Sequence, residues 1–362
     1  MKIGILTFHR AHNYGAVLQA YALKAFLNKM GYNNVSFIDY WPKYHDDIYK
    51  LFNIDFFKSL SIINKVKYII RYLLMYKRRK RRYDLFFNFI DKYLSPKTNY
   101  KNEIYDLVIY GSDQIWRYQK TIGFEGYDSI YFGDEKIQAK RKITYSVSMG
   151  ILCDSDDIRL ILMKNIHKFN AISVRESDLL NYIIKYYNNV CQTLDPVFLI
   201  PKESWLWLID NKKKKYKNYI LVYNLQSNKQ VENIASRISK KTGYPIIHIV
   251  GSVIFKISHK NYYEDVGPID FISLIYNASY VVTSSFHGTA FSLIFNKEIF
   301  VSMTNNYQRV ISLLNLVGLS SRFISNENEI ELENKKIVWS NTNEKLDKYI
   351  KDSKNYLLKN IN

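Results

Sequence analysis

Residues 281–301 read VVTSSFHGTAFSLIFNKEIFV. A β-branched run, Tyr280 to Thr283, gives way to an apolar helical segment at Gly288, and a single histidine, His287, stands at the junction. The free N–H groups and dipole at a helix start favour an anion. An imidazole there offers acid chemistry near neutral pH. Ser285, Phe286 and Gly288 surround it, and the glycine allows a ligand close to the backbone. A buried structural histidine is the competing reading.

Three other stretches place polar side chains where strands should end. Arg175, in AISVRESDLL, closes an apolar run and passes straight into a helical segment. Its planar fork suits carboxylate or phosphate; a surface salt bridge is the alternative. Glu176 beside it either favours the helix start or pairs with Arg175. In YGSDQIW (110–116), Gly111 and Ser112 turn the chain and place Asp113 to accept a proton or hold a hydroxyl, unless it only caps the turn. In HNYGAVLQAYAL (12–23), Asn13, Tyr14 and Gly15 form a strand-to-helix turn that a phosphate or sugar could approach. With Gly15 alone, this is not the G-x-G-x-x-G of dinucleotide binding.

Several motifs point elsewhere on inspection. His9 and His12 lack a nearby carboxylate or cysteine partner, so no metal site is expected. DSDD (154–157) precedes an apolar helical run, where acidic residues cap and complement the dipole. Cys153 and Cys191 match no metal-ligand spacing and read as reduced core thiols. No G-x-S-x-G or P-loop occurs.

These residues need strands and helices to hold them, and the chain alternates the two. Ile3 to Thr7, NVSFIDY, Leu107 to Tyr110, KITYSVSMG, NAISVRE and NVCQTLDP read as strands, with helical segments between them. The first helix, GAVLQAYALKAFLNKMG, is closed by Gly31. The pattern breaks at PKESWLWLIDNKKKKYK (201–217), whose lysine cluster reads as a solvated linker. A second series follows: YILVYNL, a helix over 229–241, PIIHIV, a helix over 270–277, YVVTSS, GTAFSLIFN and EIFVSM. Two Rossmann-like α/β domains facing a cleft result, over 1–205 and 216–362, with mostly parallel sheets and ligands beyond the strand ends.

The length of 362 residues suits two domains, and 47% hydrophobic residues imply a folded protein. The N-terminal MKIGILTFHR reads as a strand rather than a signal peptide, and no charge-free run reaches eighteen apolar residues. A cytoplasmic protein follows, with the option of resting on the inner face of the membrane. The formal charge of +19 includes the run KRRKRR (77–82), at the end of a helix expected over about 56–92. Ile62, Ile63, Val66, Ile69, Ile70, Leu73 and Leu74 recur there at helical spacing, among Lys65, Lys67 and Arg71. A solvated basic face, an interfacial helix on anionic lipid and salt-sensitive nucleic-acid binding all fit this pattern. No specific nucleic-acid motif accompanies it.

Five segments together resemble the polysaccharide pyruvyl transferase family: NYGAVLQAYAL (13–23), YDLVIYGSDQIW (105–116), SVRE (173–176), LDPVFLI (194–200) and SSFHGTAFSLIFNKEIFV (284–301). The resemblance implies two Rossmann-like domains similar to B-type glycosyltransferases. It also implies transfer of a carboxyethylidene group from phosphoenolpyruvate to a diol of a sugar or lipid-linked oligosaccharide, without a cofactor. Arg175 and His287 then fall on the family's donor-holding and proton-transferring positions, and Asp113 could serve the acceptor. Some relatives carry arginine where this chain has Ser285, so another cation, Arg309 or a lysine, must supply that charge. The runner-up is a nucleotide-sugar glycosyltransferase of the same architecture. No two glutamates lie eight residues apart, so the E-x7-E pattern of many such enzymes is missing.

Overall fold

A computed structural model describes residues 1–95, 103–121, 123–152, 156–209, 218–253, 261–325 and 336–362. The linker lysines 212–215, Cys153 and the first residues of the DSDD stretch lie outside the described residues.

The first lobe begins with β1 (Ile3–Leu6), α1 (Tyr14–Lys29) and β2 (Val35–Phe37). An excursion of helices follows: α2 (Lys43–Tyr49), α3 (Ile54–Ser59) and α4 (Ile62–Leu94). The sheet resumes with β3 (Ile104–Tyr110), a small hairpin of β4 (Gln119–Thr121) and β5 (Phe124–Gly126), and β6 (Gln138–Thr144). Then come α5 (Asp156–Asn165), β7 (Ile172–Val174), α6 (Ser177–Ile183), β8 (Val190–Gln192) and α7 (Lys202–Leu208). The strand order is β2-β1-β3-β6, all parallel, and the parallel pair β7–β8 continues beside β6 through isolated bridges.

The second lobe contains β9 (Ile220–Tyr223), α8 (Lys229–Thr242), β10 (Ile246–Ile249), β11 (Tyr262–Tyr263), α9 (Pro268–Asn277), β12 (Tyr280–Thr283), α10 (Phe286–Ile294), β13 (Glu298–Val301) and α11 (Gln308–Leu316). Its sheet runs β11-β10-β9-β12-β13, again all parallel. The last helix, α12 (Trp339–Ile361), crosses back to the first lobe. There Ser353 Oγ accepts the Leu194 N–H at 2.9 Å, and the Tyr356 hydroxyl donates to the Thr144 carbonyl at 2.9 Å.

Buried apolar strands make both sheets legible in sequence. β1, β9 and most of β12 are inaccessible on both faces, as helix-covered parallel strands must be. In both sheets a central strand has its sequence neighbours on opposite sides: β1 lies between β2 and β3, and β9 between β10 and β12. Such switch points open crevices at the strands' carboxyl ends.

The lobes are joined by apolar packing. One buried cluster runs from Ile3 and Leu107 in the first sheet through Tyr14 and Phe86 to Leu221 and Val281 in the second. Tyr14 stacks on Phe271, 4.6 Å between ring centres, and donates its hydroxyl to the Val266 carbonyl.

The basic segment differs from the single helix expected. The chain breaks at Leu60 and Ser61, so α3 and the loop before it fold against α4 through Phe52, Phe57, Tyr68 and Tyr72. The run 77–82 also divides. Arg78 pairs with Glu264, Arg81 with Asp265 at 3.3 Å, and buried Arg82 donates to the Tyr14 hydroxyl and to the Gly251 carbonyl. These three arginines tie α4 to the second lobe. Cys191 is a free, half-buried thiol rather than a core residue, and burial pushes its pKa up to about 11. None of the described helices is long and apolar enough to cross a membrane.

Candidate active site

The two switch points face each other, and a cavity of ≈ 250 Å3 lies between them. Phe8, Asn13 and Gly15 reach it from the end of β1, and Asp113, Gln114 and Arg117 from the end of β3. Tyr223 ends β9 and Gln226 follows it, Ser284 to His287 follow β12, and Asn306 and Arg309 follow β13.

Two helix starts converge on it. Asn13 caps α1, its side-chain oxygen accepting the Ala16 N–H at 3.3 Å. Ser285 caps α10 in the same way, accepting from Gly288 at 3.4 Å, so the helix begins at Phe286 and His287 occupies its first turn. Gly288 does not face the cavity. A side chain there would come within 2.6 Å of Thr283 Oγ1, so the glycine serves helix–strand packing. Gly15 is the residue whose missing side chain matters to the site. A Cβ at Gly15 would overlap the His287 imidazole, so the first turn of α1 is open for a ring brought by the other lobe.

Behind the cavity wall lies a buried charge network centred on Asp195. Its Oδ1 accepts the Val197 N–H, which fixes the carboxylate. Its Oδ2 receives Arg175 Nη1 at 2.6 Å and lies 3.5 Å from His287 Nε2, an ion-pair distance without the alignment of a hydrogen bond. Ser112 Oγ is 3.4 Å from the same oxygen. Burial alone would raise the Asp195 pKa, but His287, Arg175 and the backbone donor overcome it and hold it at about 2. Asp113 likewise stays below the usual range. Burial opposes its charge, yet Arg175, His287 and Arg309 outweigh that penalty. Its Oδ1 lies 3.4 Å from Arg175 Nη2 and accepts the Gln114 N–H. Glu176 is pushed up by burial; it accepts the Met149 N–H, and its other oxygen is 3.9 Å from Arg175 Nε.

His287 and Arg175 therefore meet on one carboxylate oxygen, but they do not line the cavity together. Arg175 is almost fully buried, with its guanidinium 4.7 Å from the Phe286 ring. The guanidiniums at the wall belong to Arg117 and Arg309, the latter 5.7 Å from the same ring. With the Gln114 carboxamide oxygen turned toward it, Arg309 donates from Nη1 at 3.0 Å and Nη2 at 2.5 Å. Burial and repulsion from Arg175 lower its pKa to about 10, so it is a cation at neutral pH. Arg309, one of the cations considered for the charge missing at Ser285, thus lines the cavity.

Of the other sequence-predicted residues, Asn13, Gly15, Asp113, Ser285 and Phe286 reach the wall, whereas Tyr14 and Ser112 do not. Tyr14 belongs to the inter-lobe core. Ser112 is buried with its hydroxyl donated to the Ser146 carbonyl. Sequence reasoning missed Asp195 as a site residue, although LDPVFLI contains it; an aspartate before proline at a turn looks like a simple cap. No described group of three or more His, Cys, Asp or Glu side chains could hold a metal ion. His9 is buried and stacked on Phe37, and His12 on Phe86.

No curated protein matches the chain. Among solved structures, S. aureus MnaA with UDP aligns at 12% identity and a TM-score of 0.50, covering 95% of this chain and 91% of that one. The UDP-GlcNAc 2-epimerase of Methanocaldococcus jannaschii, in complex with UDP-GlcNAc and UDP, aligns at 12% identity and 0.48, covering 98% and 92%. That of Neisseria meningitidis, bound to UDP-GlcNAc, aligns at 11% and 0.47, covering 98% and 94%. The S. aureus likeness agrees with the two-lobed α/β fold of B-type glycosyltransferases. The profile of the family described as polysaccharide pyruvyl transferase matches residues 13–306, which include both helix starts, Asp113, Arg175, Asp195 and His287. The chain belongs to the polysaccharide pyruvyl transferase family, and is an enzyme of that family.

Proposed function

We propose that this enzyme moves a carboxyethylidene group from phosphoenolpyruvate to two hydroxyls of a sugar in a surface-polysaccharide precursor, releasing phosphate. One observation carries the reading. A small cavity between two helix starts holds an imidazole, two guanidiniums from Arg117 and Arg309, and one ionised carboxylate, Asp113. Phosphoenolpyruvate is a compact polyanion with a carbon that must be protonated. Arg309, Arg117 and the N–H groups at the start of α10 can neutralise its carboxylate and phosphate.

His287 then delivers a proton to the methylene carbon, and the developing positive charge at C2 is met by one sugar oxygen. Phosphate departs with the electron pair of the C2–O bond and the second hydroxyl closes the ketal. Of the two hydroxyl protons released, Asp113 takes one and passes it to the leaving phosphate, and the other returns to the now neutral His287. Asp195 stabilises the imidazolium from behind, as a buried carboxylate does for a histidine acid. Arg175 holds Asp195 and Asp113 in place rather than touching the donor.

The acceptor has a route to this point. Tyr49 is shared with a neighbouring cavity of ≈ 480 Å3 walled by Trp41, Phe52, Tyr83 and Phe87, with Arg10, Asp39 and Asp91 at its edge. Flat aromatic faces beside carboxylates and a guanidinium suit a sugar ring and its hydroxyls. Incubation with phosphoenolpyruvate and candidate glycans should release phosphate and add the mass of one carboxyethylidene bridge. Thermal stabilisation by UDP or GDP but not by phosphoenolpyruvate would instead favour a nucleotide-sugar glycosyltransferase.

A further inference from the structure

The outer half of α4 has a surface that neither the fold nor the proposed reaction uses. From Ile62 to Leu74 the helix packs on α3 and the preceding loop through only one side, with Tyr68 and Tyr72 against Phe52 and Phe57. The opposite side carries Ile62, Ile63, Val66, Ile70, Leu73 and Leu74, and it stays open; Ile62 is 81% and Leu73 66% exposed. All the described buried residues of α4 lie at Met75 or beyond. At 3.6 residues per turn those six apolar side chains form one continuous stripe. Lys65 and Lys67 flank it on its two sides, and Ile54 and Phe56 of α3 add further exposed apolar surface. An apolar stripe of this length is uncommon on a monomer unless something covers it.

We infer that this stripe docks on an anionic lipid bilayer, lying in the headgroup plane with its isoleucines and leucines in the acyl boundary. Charge decides the occupant. Between Asn53 and Tyr83 the chain carries ten lysines and arginines and a single acidic residue, Asp55. A second copy laid against the stripe would bring two strongly basic helices together with almost no acid between them. An anionic surface pairs with the same lysines, at about 1 kcal/mol per basic residue near the membrane. Since Arg78, Arg81 and Arg82 face Glu264, Asp265 and Gly251, the lipid-facing charge comes from Lys58, Lys65, Lys67 and Lys77. The same helix continues to Tyr83 and Phe87 in the aromatic cavity, so one rigid rod would join the bilayer to that cavity. The docking inference does not depend on the chemistry proposed above.

The test is co-sedimentation of the full chain with vesicles of phosphatidylcholine alone or mixed with phosphatidylglycerol. The mixed vesicles should bind it at least tenfold better at low salt, and less as salt rises. I63E/L73E/L74E should abolish binding without moving the unfolding midpoint, because these side chains contact solvent. K65S/K67S should weaken binding several-fold while leaving the apolar stripe intact. Equal binding to both vesicles, no binding to either, or undiminished binding by the triple variant overturns the inference. A dimer dissociated by L73E would also overturn it, by assigning the stripe to a second copy.

Discussion

The two lobes put the same local device at their switch points and give it different charges. In each, a central parallel strand ends, the chain turns, and an uncharged polar residue caps a new helix: Asn13 before α1 and Ser285 before α10. The first lobe surrounds its turn with carboxylates, Asp113 and Asp195, and locks them with Arg175. The second lobe supplies His287 and Arg309. Neither lobe alone could balance its own buried charge, so the network closes only across the interface. The site is thus assembled by the same contacts that hold the lobes together, and Gly15 leaves room there for the His287 ring.

Breaking the second lobe's side of this pairing should have the largest effect. His287→Ala is expected to lower turnover by roughly 10²–10⁴-fold, measured as phosphate release, with the fold retained. A loss of only a few-fold would remove the histidine from the chemistry. Gly15→Ala attacks the same ring from the first lobe. Its methyl would occupy the imidazole's place, and a displacement of about 1 Å should cost about 100-fold in rate. Near-normal activity would mean that the contact at Gly15 does not fix the ring.

The two arginines sharpen the comparison because they should fail in different ways. Arg309→Ala should raise the KM for phosphoenolpyruvate roughly 10- to 100-fold, as expected for losing charge-assisted hydrogen bonds, with little change in unfolding. Arg175→Ala strands two buried carboxylates and should cost about 3–5 kcal/mol of stability, read by denaturant titration. If Arg309→Ala unfolds the protein and Arg175→Ala only weakens the donor, their assignments are exchanged.

A different readout, stability against pH, concerns buried histidines of the first lobe. His9 and His45 both have pKa values lowered to about 4, chiefly by burial, opposed in each case by nearby carboxylate attraction. Unfolded, each would titrate near 6.5. Between these values the unfolded chain binds protons that the folded one does not. Stability should therefore fall as pH drops from about 6.5 to 4. A H9F/H45F variant that keeps its fold should show a flatter profile. An unchanged slope would mean other groups set it.

Much of the scaffold was readable because its signals are local. Apolar β-branched runs marked β1, β3, β9 and β12, and turns followed by apolar periodicity marked α1 and α10. The break between α3 and α4 was missed because the helical spacing from Ile62 onward is strong enough to mask a short helix before Ser61. The basic run 77–82 looked uniform because sequence does not reveal that Arg78 and Arg81 face acidic residues of the other lobe.

By itself the sequence determined the two parallel βα series, the placing of His287 on a helix's first turn and the surplus of positive charge. These follow from backbone propensity, residue periodicity and composition, which act over a few neighbours or over none. Tertiary structure alone decided that Asp195 lies behind the histidine, that Arg309 rather than Arg175 reaches the cavity, and that Tyr14 and Ser112 are buried. Those outcomes depend on which distant strand ends are brought together and on which charges find partners once water is excluded.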